Sequence, residues 1–364
     1  MGIGRYSCRM PRPIAARISI AALAHNLGVA RSLSGGARIW AVVKAGAYGH
    51  GMVAAVRGLR QADGLALLDF DSAALARELG WQGPILMLEG AFEAADLQTA
   101  CALDLSLVVH DRSQVAWFDN HRGSPIAVWL KVNSGMNRLG VSPSEVAELH
   151  GRLSALPGVS GVSLMTHFAD ADLPDGTALA RARFDAATGG LSADRSLANS
   201  AALGLHPETH ADWVRPGIML YGASPFDDRS AASIGLRPAM SFESRLIAIQ
   251  ELVRGDTVGY GSTFMSPGPM RIGVVACGYA DGYPRRAPST TPVIVDGVRT
   301  HLVGRVSMDM LTVDLAAVPS AAIGSPVQLW GPLLPVDEVA GHCGTIGYEL
   351  LCAVAVRVPR IVQD

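Results

Sequence analysis

Residues 39–51 read IWAVVKAGAYGHG. The first five, Ile39 to Val43, are apolar without interruption, the pattern of a strand buried on both faces. The run stops at Lys44, and the small residues Ala45 and Gly46 turn the chain into a loop. Seven more runs of this kind follow: LALL at 65–68, ILML at 85–88, LSLVVH at 105–110, IAVWLKV at 126–132, VSLMTH at 162–167, SLANS at 196–200 and DWVRP at 212–216. Amphipathic, helix-length stretches lie between them, such as DSAALARELG at 71–80 and SPSEVAELHGRLSAL at 142–156, which opens on Ser and acidic residues as a helix start does. Eight strand-helix units predict an α/β fold built on a (β/α)8 TIM-type barrel over residues 14–236. GIMLYG at 217–222 is apolar enough for a strand, but Pro216 and Gly217 point to a turn into a helix.

Beyond residue 236 the texture changes to short Val, Ile and Thr runs punctuated by Gly and Pro: SRLIAIQELV, RIGVVACGY, TPVIVDGVRTHLVG, LTVDL and PVQLW. This predicts a mainly β C-terminal domain over 237–364, with residues 1–13 packing alongside it and the boundary between Gly235 and Pro238. Asp296-Gly297, flanked by apolar residues, is a strong hairpin signal.

Composition narrows the function. A chain of 364 residues, 49% hydrophobic, can bury more than one core. Charged residues make up 17%, and a net charge of -2 offers no broad field for nucleic acid or an anionic membrane, so a small molecule is the expected partner. Arg5, Arg9 and Arg12 are interrupted by Pro11 and Pro13, and Arg17 breaks the apolar stretch that begins at Ile14, which argues against a secretory signal. No apolar run is long enough for a membrane helix. Cys8, Cys101, Cys277, Cys343 and Cys352 show no metal-ligand spacing; they predict no metal site, and reduced, buried thiols in a cytoplasmic protein.

Active sites of such barrels assemble at the C-terminal ends of the strands, which directs attention to Lys44. By position alone it is more commonly a surface lysine. The wider string AVVKAGAYGHG, however, resembles the cofactor-lysine signature of the alanine racemases, and LKVNSGMNRLG, THFADA, ANSA, VRPGIMLYG, VGYGSTF, GYADGYPR, GRVSMDM and GTIGYEL follow in that family's order across both predicted domains. Two departures are Gly46, where the family commonly has Asn, and Asn133, where many relatives have Asp.

The resemblance implies pyridoxal 5'-phosphate held as a Schiff base on Lys44, with Tyr48, Asn199, Ser200, the backbone of Gly217 and Ile218, and Tyr348 around the cofactor, mostly at its phosphate. Barrel phosphate sites do lie after the seventh and eighth strands at a helix start, where Ser200 and Gly217 fall. The alternative for Ser200 is a helix cap, and for Gly217 a turn requirement. Arg215 matches the donor to the pyridine nitrogen, and His167 a neighbour that bonds Arg215 in a supporting role. A guanidinium only donates, so the ring nitrogen stays unprotonated, the carbanion is less stabilised, and return of the proton is favoured over transamination.

Racemisation needs a base on each face of Cα. The resemblance assigns these to Lys44 and to Tyr260 of a second subunit, with Lys44 removing the proton of D-alanine and Tyr260 that of L-alanine. A free tyrosine has a pKa of about 10, and Arg138 matches the cation near this phenol and the substrate carboxylate. Met308 and Asp309 match the partner's contacts with that carboxylate, Tyr279, Asp281, Arg285 and Arg305 an access corridor, and Lys131 a lysine that some members carbamylate. The expected protein is a homodimer with composite sites that interconverts L- and D-alanine. The alternatives are a broad-specificity racemase, which the bulk of Tyr348 and Met308 disfavours, and a decarboxylase of the same architecture, which Arg215 and Tyr260 disfavour. A non-catalytic barrel that carries the cofactor for homeostasis would usually lack the β domain.

Overall fold

A computed structural model describes residues 12–364; Cys8, Arg5, Arg9 and Pro11 lie outside the described residues. The chain divides into two compact units, one spanning Ile20–Arg237 and the other Pro238–Asp364 together with residues 12–19.

In the first unit eight parallel strands close into a barrel: Arg38–Val42, Gly64–Leu67, Ile85–Met87, Leu105–Val109, Ile126–Lys131, Val159–Met165, Arg195–Ser196 and Trp213–Val214. Closure is made where Arg38 and Ile39 pair with Trp213 and Val214. Each of the eight apolar runs supplies a strand, but the last two strands are only two residues long. The run SLANS bends into a helix, Ser200–Leu205, because the Asn199 side chain accepts the Ala202 N–H at 3.0 Å. GIMLYG forms a short 3₁₀ helix, Ile218–Tyr221, as its Pro-Gly entrance implies.

Three indoles pack within the barrel. Trp40 stacks on Trp213 with centroids 4.2 Å apart, and Trp129, from a strand across the barrel, meets both edge-on at 6.0 and 6.3 Å. Gly64 on the neighbouring strand makes room for them, since a Cβ there would lie 2.1 Å from the Trp40 ring.

The second unit is built on an eight-stranded sheet in which the long strand Met240–Leu252 pairs with Ala15–Ser19, Pro326–Trp330 and, beyond a bulge, Met270–Val275. The strand Ala15–Ser19 corrects the barrel span expected from the sequence. It runs antiparallel to Met240–Leu252 and parallel to Arg360–Gln363. Its alternation explains this: Ala16 and Ile18 are buried while Arg17 bonds Glu243, a pattern for one covered face and not two. Asp296 and Gly297 both take left-handed φ, +48° and +80°, in a two-residue hairpin turn between Val295 and Val298. Two helices not foreseen from the sequence, Val336–His342 and Gly347–Ala353, accompany the strands. No helix of the described residues is long and apolar enough to cross a membrane.

Candidate active site

Lys44 stands at the mouth of the barrel, half-buried, two residues past the end of the first strand. The next four residues, Ala45, Gly46, Ala47 and Tyr48, all have φ between +51° and +57°, a left-handed turn. It is closed by Ala47 N–H to Val43 O (2.9 Å) and Gly49 N–H to Ala45 O (3.0 Å). Such a conformation costs roughly 1–2 kcal/mol for each L-residue other than Gly, and strain of this kind collects at functional turns. It also accounts for the departure at position 46, since Gly and Asn are the residues that tolerate left-handed backbone best.

The turn buries the Tyr48 ring, which stacks on Tyr221 with centroids 4.7 Å apart. Its hydroxyl lies against Gly217: a Cβ on that glycine would sit 2.5 Å from the Tyr48 oxygen, so a larger residue there would force the phenol to move. The Ser200 hydroxyl accepts the Gly217 N–H at 2.8 Å. Capping is done by Asn199, which leaves Ser200 to face Gly217. Ile218 opens the 3₁₀ helix, so its N–H has no partner within that helix. Tyr48, Ser200, Gly217 and Ile218 therefore lie close together.

Arg215 is buried, 4% exposed, and is not in a salt bridge with any described residue. It donates from Nη1 to Ser196 Oγ (2.6 Å) and from Nη2 to the carbonyls of Thr166 (2.6 Å) and Leu197 (3.1 Å). Nη2 also lies 3.4 Å from His167 Nδ1. Burial lowers its pKa to about 10, so it stays charged at neutral pH. Its Nε–H and second Nη1–H have no protein acceptor among the described residues. The His167 imidazole is held well below its ordinary pKa by desolvation and then by Arg215, Lys131, Arg138 and Lys44, so it is neutral and accepts.

Lys131 is the second lysine of the mouth, 7% exposed, and shares a small pocket with Asn133, Arg138, Thr166 and His167. Desolvation, then Arg215 and Arg138, lower its pKa to about 8. Asn133 shows why Asp can be replaced here: its Oδ1 accepts the N–H groups of Gly135 (3.2 Å) and Asn137 (3.1 Å), and its Nδ2 donates to Asn137 at 3.0 Å. It shapes the loop that carries the exposed Arg138 without adding a charge.

Two residues of the mouth were missed in the sequence. Glu89 lies two residues past the third strand and His110 directly after the fourth, and both are coupled electrostatically to Lys131: the Glu89 carboxylate favours its protonated form, and Lys131 helps to lower the His110 pKa after desolvation. Their position, after the run ILML and at the end of the run LSLVVH, was the available signal. Buried Gln114 holds both loops, accepting the His110 N–H at 2.8 Å and donating to the Ala91 carbonyl at 3.0 Å.

The remaining predicted residues belong to the β unit. Tyr260 stands at the tip of a short hairpin, Thr257–Val258 with Phe264–Met265, and is 72% exposed. Val258, Ile272 and Val303 form a small core beneath it. Arg305 lies beside this tip, its Nη1 3.1 Å from where a Gly261 Cβ would be. A second pair of segments brings Tyr279 to Met308 through Tyr279 N–H to Ser307 O (3.0 Å) and Ala280 N–H to Met308 O (3.0 Å). Arg285 is exposed and Tyr348 half-buried. Asp281 departs from the expected corridor wall: it is fully buried and ion-paired with Arg12 and Arg357. The Asp309 carboxylate is likewise occupied by Arg357, at 2.6 Å. Of the four described cysteines, Cys277 is buried, Cys101 and Cys343 are partly exposed and Cys352 is exposed.

A barrel mouth with two lysines, a buried arginine without a carboxylate partner among the described residues, and hydroxyl and amide groups gathered near Gly217 has the make-up of an enzyme site suited to a small anionic molecule. Residues 18–225 match the model of the alanine racemase N-terminal domain, and residues 239–362 that of the C-terminal domain. Alanine racemases from Burkholderia mallei (55% identical over 96% of this chain and 99% of theirs) and from a Polaromonas species (56% over 97% and 100%) are similar along their whole length. Among solved structures, the biosynthetic alanine racemase of Pseudomonas aeruginosa superposes with a TM-score of 0.94 at 47% identity, covering 97% of this chain and all of that one. The Acinetobacter baumannii alanine racemase does so at 0.91 and 36%, with the same coverage. The chain belongs to the alanine racemase family.

Proposed function

We propose that this protein is a pyridoxal phosphate-dependent alanine racemase in which Lys44 and the Tyr260 of a second subunit serve opposite faces of Cα. The residues present fit the cofactor. The hydroxyls of Tyr48 and Ser200 and the Ile218 amide form a donor set suited to a phosphate, with the Gly217 N–H holding the Ser200 hydroxyl, and the family resemblance adds Asn199 and Tyr348. The two Arg215 donors without protein acceptors suit an unprotonated ring nitrogen. When bound, the cofactor supplies a carbon that takes up the substrate amine and an electron sink that acidifies the Cα–H.

The observation that carries the reading is Arg215, charged, buried and with no carboxylate partner among the described residues. Neutral His167 keeps it oriented without competing for charge. With D-alanine, Lys44 Nζ receives the Cα proton and the Tyr260 hydroxyl delivers one to the opposite face; with L-alanine the roles reverse. Arg138 lends positive charge to the tyrosine oxygen and the substrate carboxylate.

Tyr260, Tyr279, Met308 and Met310 are all large and exposed on hydrogen-bonded segments of the β unit. This supports a homodimer that covers them, since large exposed apolar groups mark interaction surfaces. Arg285 and Arg305, both exposed, are proposed for the access corridor. Lys131, with its pKa near 8, is proposed to carry a carbamate whose charge orients Arg138; density for a bare amine contradicts this. A cytoplasmic setting is proposed from the scattered cysteines, whose spacing offers no disulfide framework.

A chiral assay over a panel of amino acids, run on the wild type and on Arg215→Glu, tests the reading. Racemisation of alanine above all other substrates is expected from the wild type. The variant should lose about 10²-fold or more in racemisation and form proportionally more pyruvate, the sign of transamination. No alanine racemisation by the wild type, or an unchanged partition in the variant, contradicts it.

A further inference from the structure

The fully buried Asp281 carboxylate is the hub of a charged cluster that none of the proposed chemistry uses. It accepts from Arg12 Nη1 (3.1 and 3.3 Å), from Arg357 Nε (2.8 Å) and from the Gly278 N–H (2.9 Å). Both arginines extend to Asp309: Arg357 Nη2 reaches its carboxylate at 2.6 Å, and Arg12 Nη2 its carbonyl at 2.6 Å. Residues from near both ends of the described chain thus fasten the turn that carries Tyr279 to the segment that carries Met308. The fit is close, since a Cβ on Gly278 would lie 2.3 Å from the Met308 carbonyl.

Two aspartates are matched by two arginines. An uncompensated Asp309 would repel an approaching carboxylate, whereas a side chain held by Arg357 leaves the segment presenting Met308, 53% exposed, and its peptide groups. We infer that Arg12 and Arg357 are positioning residues that, through Asp281 and Asp309, hold residues 307–309 in shape and cancel the Asp309 charge so that this segment can receive the substrate carboxylate. The inference rests on the racemase reading, in which this segment faces alanine.

Steady-state kinetics in both directions, isothermal titration of the holoenzyme with 2-methylalanine, which has no Cα proton to lose, and melting temperature together test it. Arg357→Gln should raise KM for alanine about tenfold, the scale of one lost charge-assisted hydrogen bond. The rise in KM should exceed the fall in kcat severalfold, and 2-methylalanine should bind more weakly by a similar factor. Arg357→Lys keeps the charge but cannot span both carboxylates, so it should show a smaller shift of the same kind even if the Gln variant does not fold. In an Asp309→Asn background, where no charge needs cancelling, the Arg357→Lys shift should shrink. A lowered melting temperature with unchanged KM and unchanged binding, or equal KM shifts in both backgrounds, overturns the inference. Absence of alanine racemisation in the wild type would instead overturn the racemase reading on which it rests.

Discussion

Lys131 has the most informative environment of any single residue at the barrel mouth. Its amine is buried among cations, with Glu89 as the opposing charge, and its pKa is lowered from 10.5 to about 8. Between those values the unfolded chain holds a proton that the folded chain has lost, so folding stability rises with pH across that window. Urea midpoints in CO2-free buffer at about pH 8 and about pH 10 should therefore rise more for the wild type than for Lys131→Met. Parallel changes in the two proteins would remove Lys131 as the source. At this scale the sequence was legible wherever a residue closes or directly follows an apolar run, as with His167 and Lys44. Glu89 and His110 obey the same rule and were passed over because no motif marked them. Arg12 and Arg357 carry no local signal, since their partner Asp281 lies 269 and 76 positions away.

Among the elements, the barrel strands were legible because burial on both faces leaves unbroken apolar runs. The two shortest, Arg195–Ser196 and Trp213–Val214, were overestimated: Asn199 starts a helix early and Pro216 removes a ladder donor. Ala15–Ser19 was misassigned by proximity, although its alternating burial suits a sheet with one covered face. The packing of strand against strand yields a direct test at Gly64, whose missing side chain is filled by the Trp40 ring. Gly64→Ala should destabilise the protein by about 1–3 kcal/mol through overpacking, seen as a lower melting temperature and altered tryptophan fluorescence. An unchanged melting temperature would mean that the three indoles are not held as described.

For the whole molecule, the proposed machinery draws on both units, since Lys44, the proposed cofactor lysine, belongs to the barrel and Tyr260 to the β unit. Tyr260 is 72% exposed at a hairpin tip, which suits a group that a second subunit receives. The most direct test of the two-base account is exchange of the Cα hydrogen with solvent deuterium, measured separately from L- and D-alanine in Tyr260→Ala with its cofactor absorbance intact. Exchange from D-alanine should persist through Lys44, while exchange from L-alanine should fall by about 10²-fold or more, the scale of a lost general base. Equal losses from both enantiomers, or unchanged rates from both, would contradict the assignment of Lys44 and Tyr260 to opposite faces.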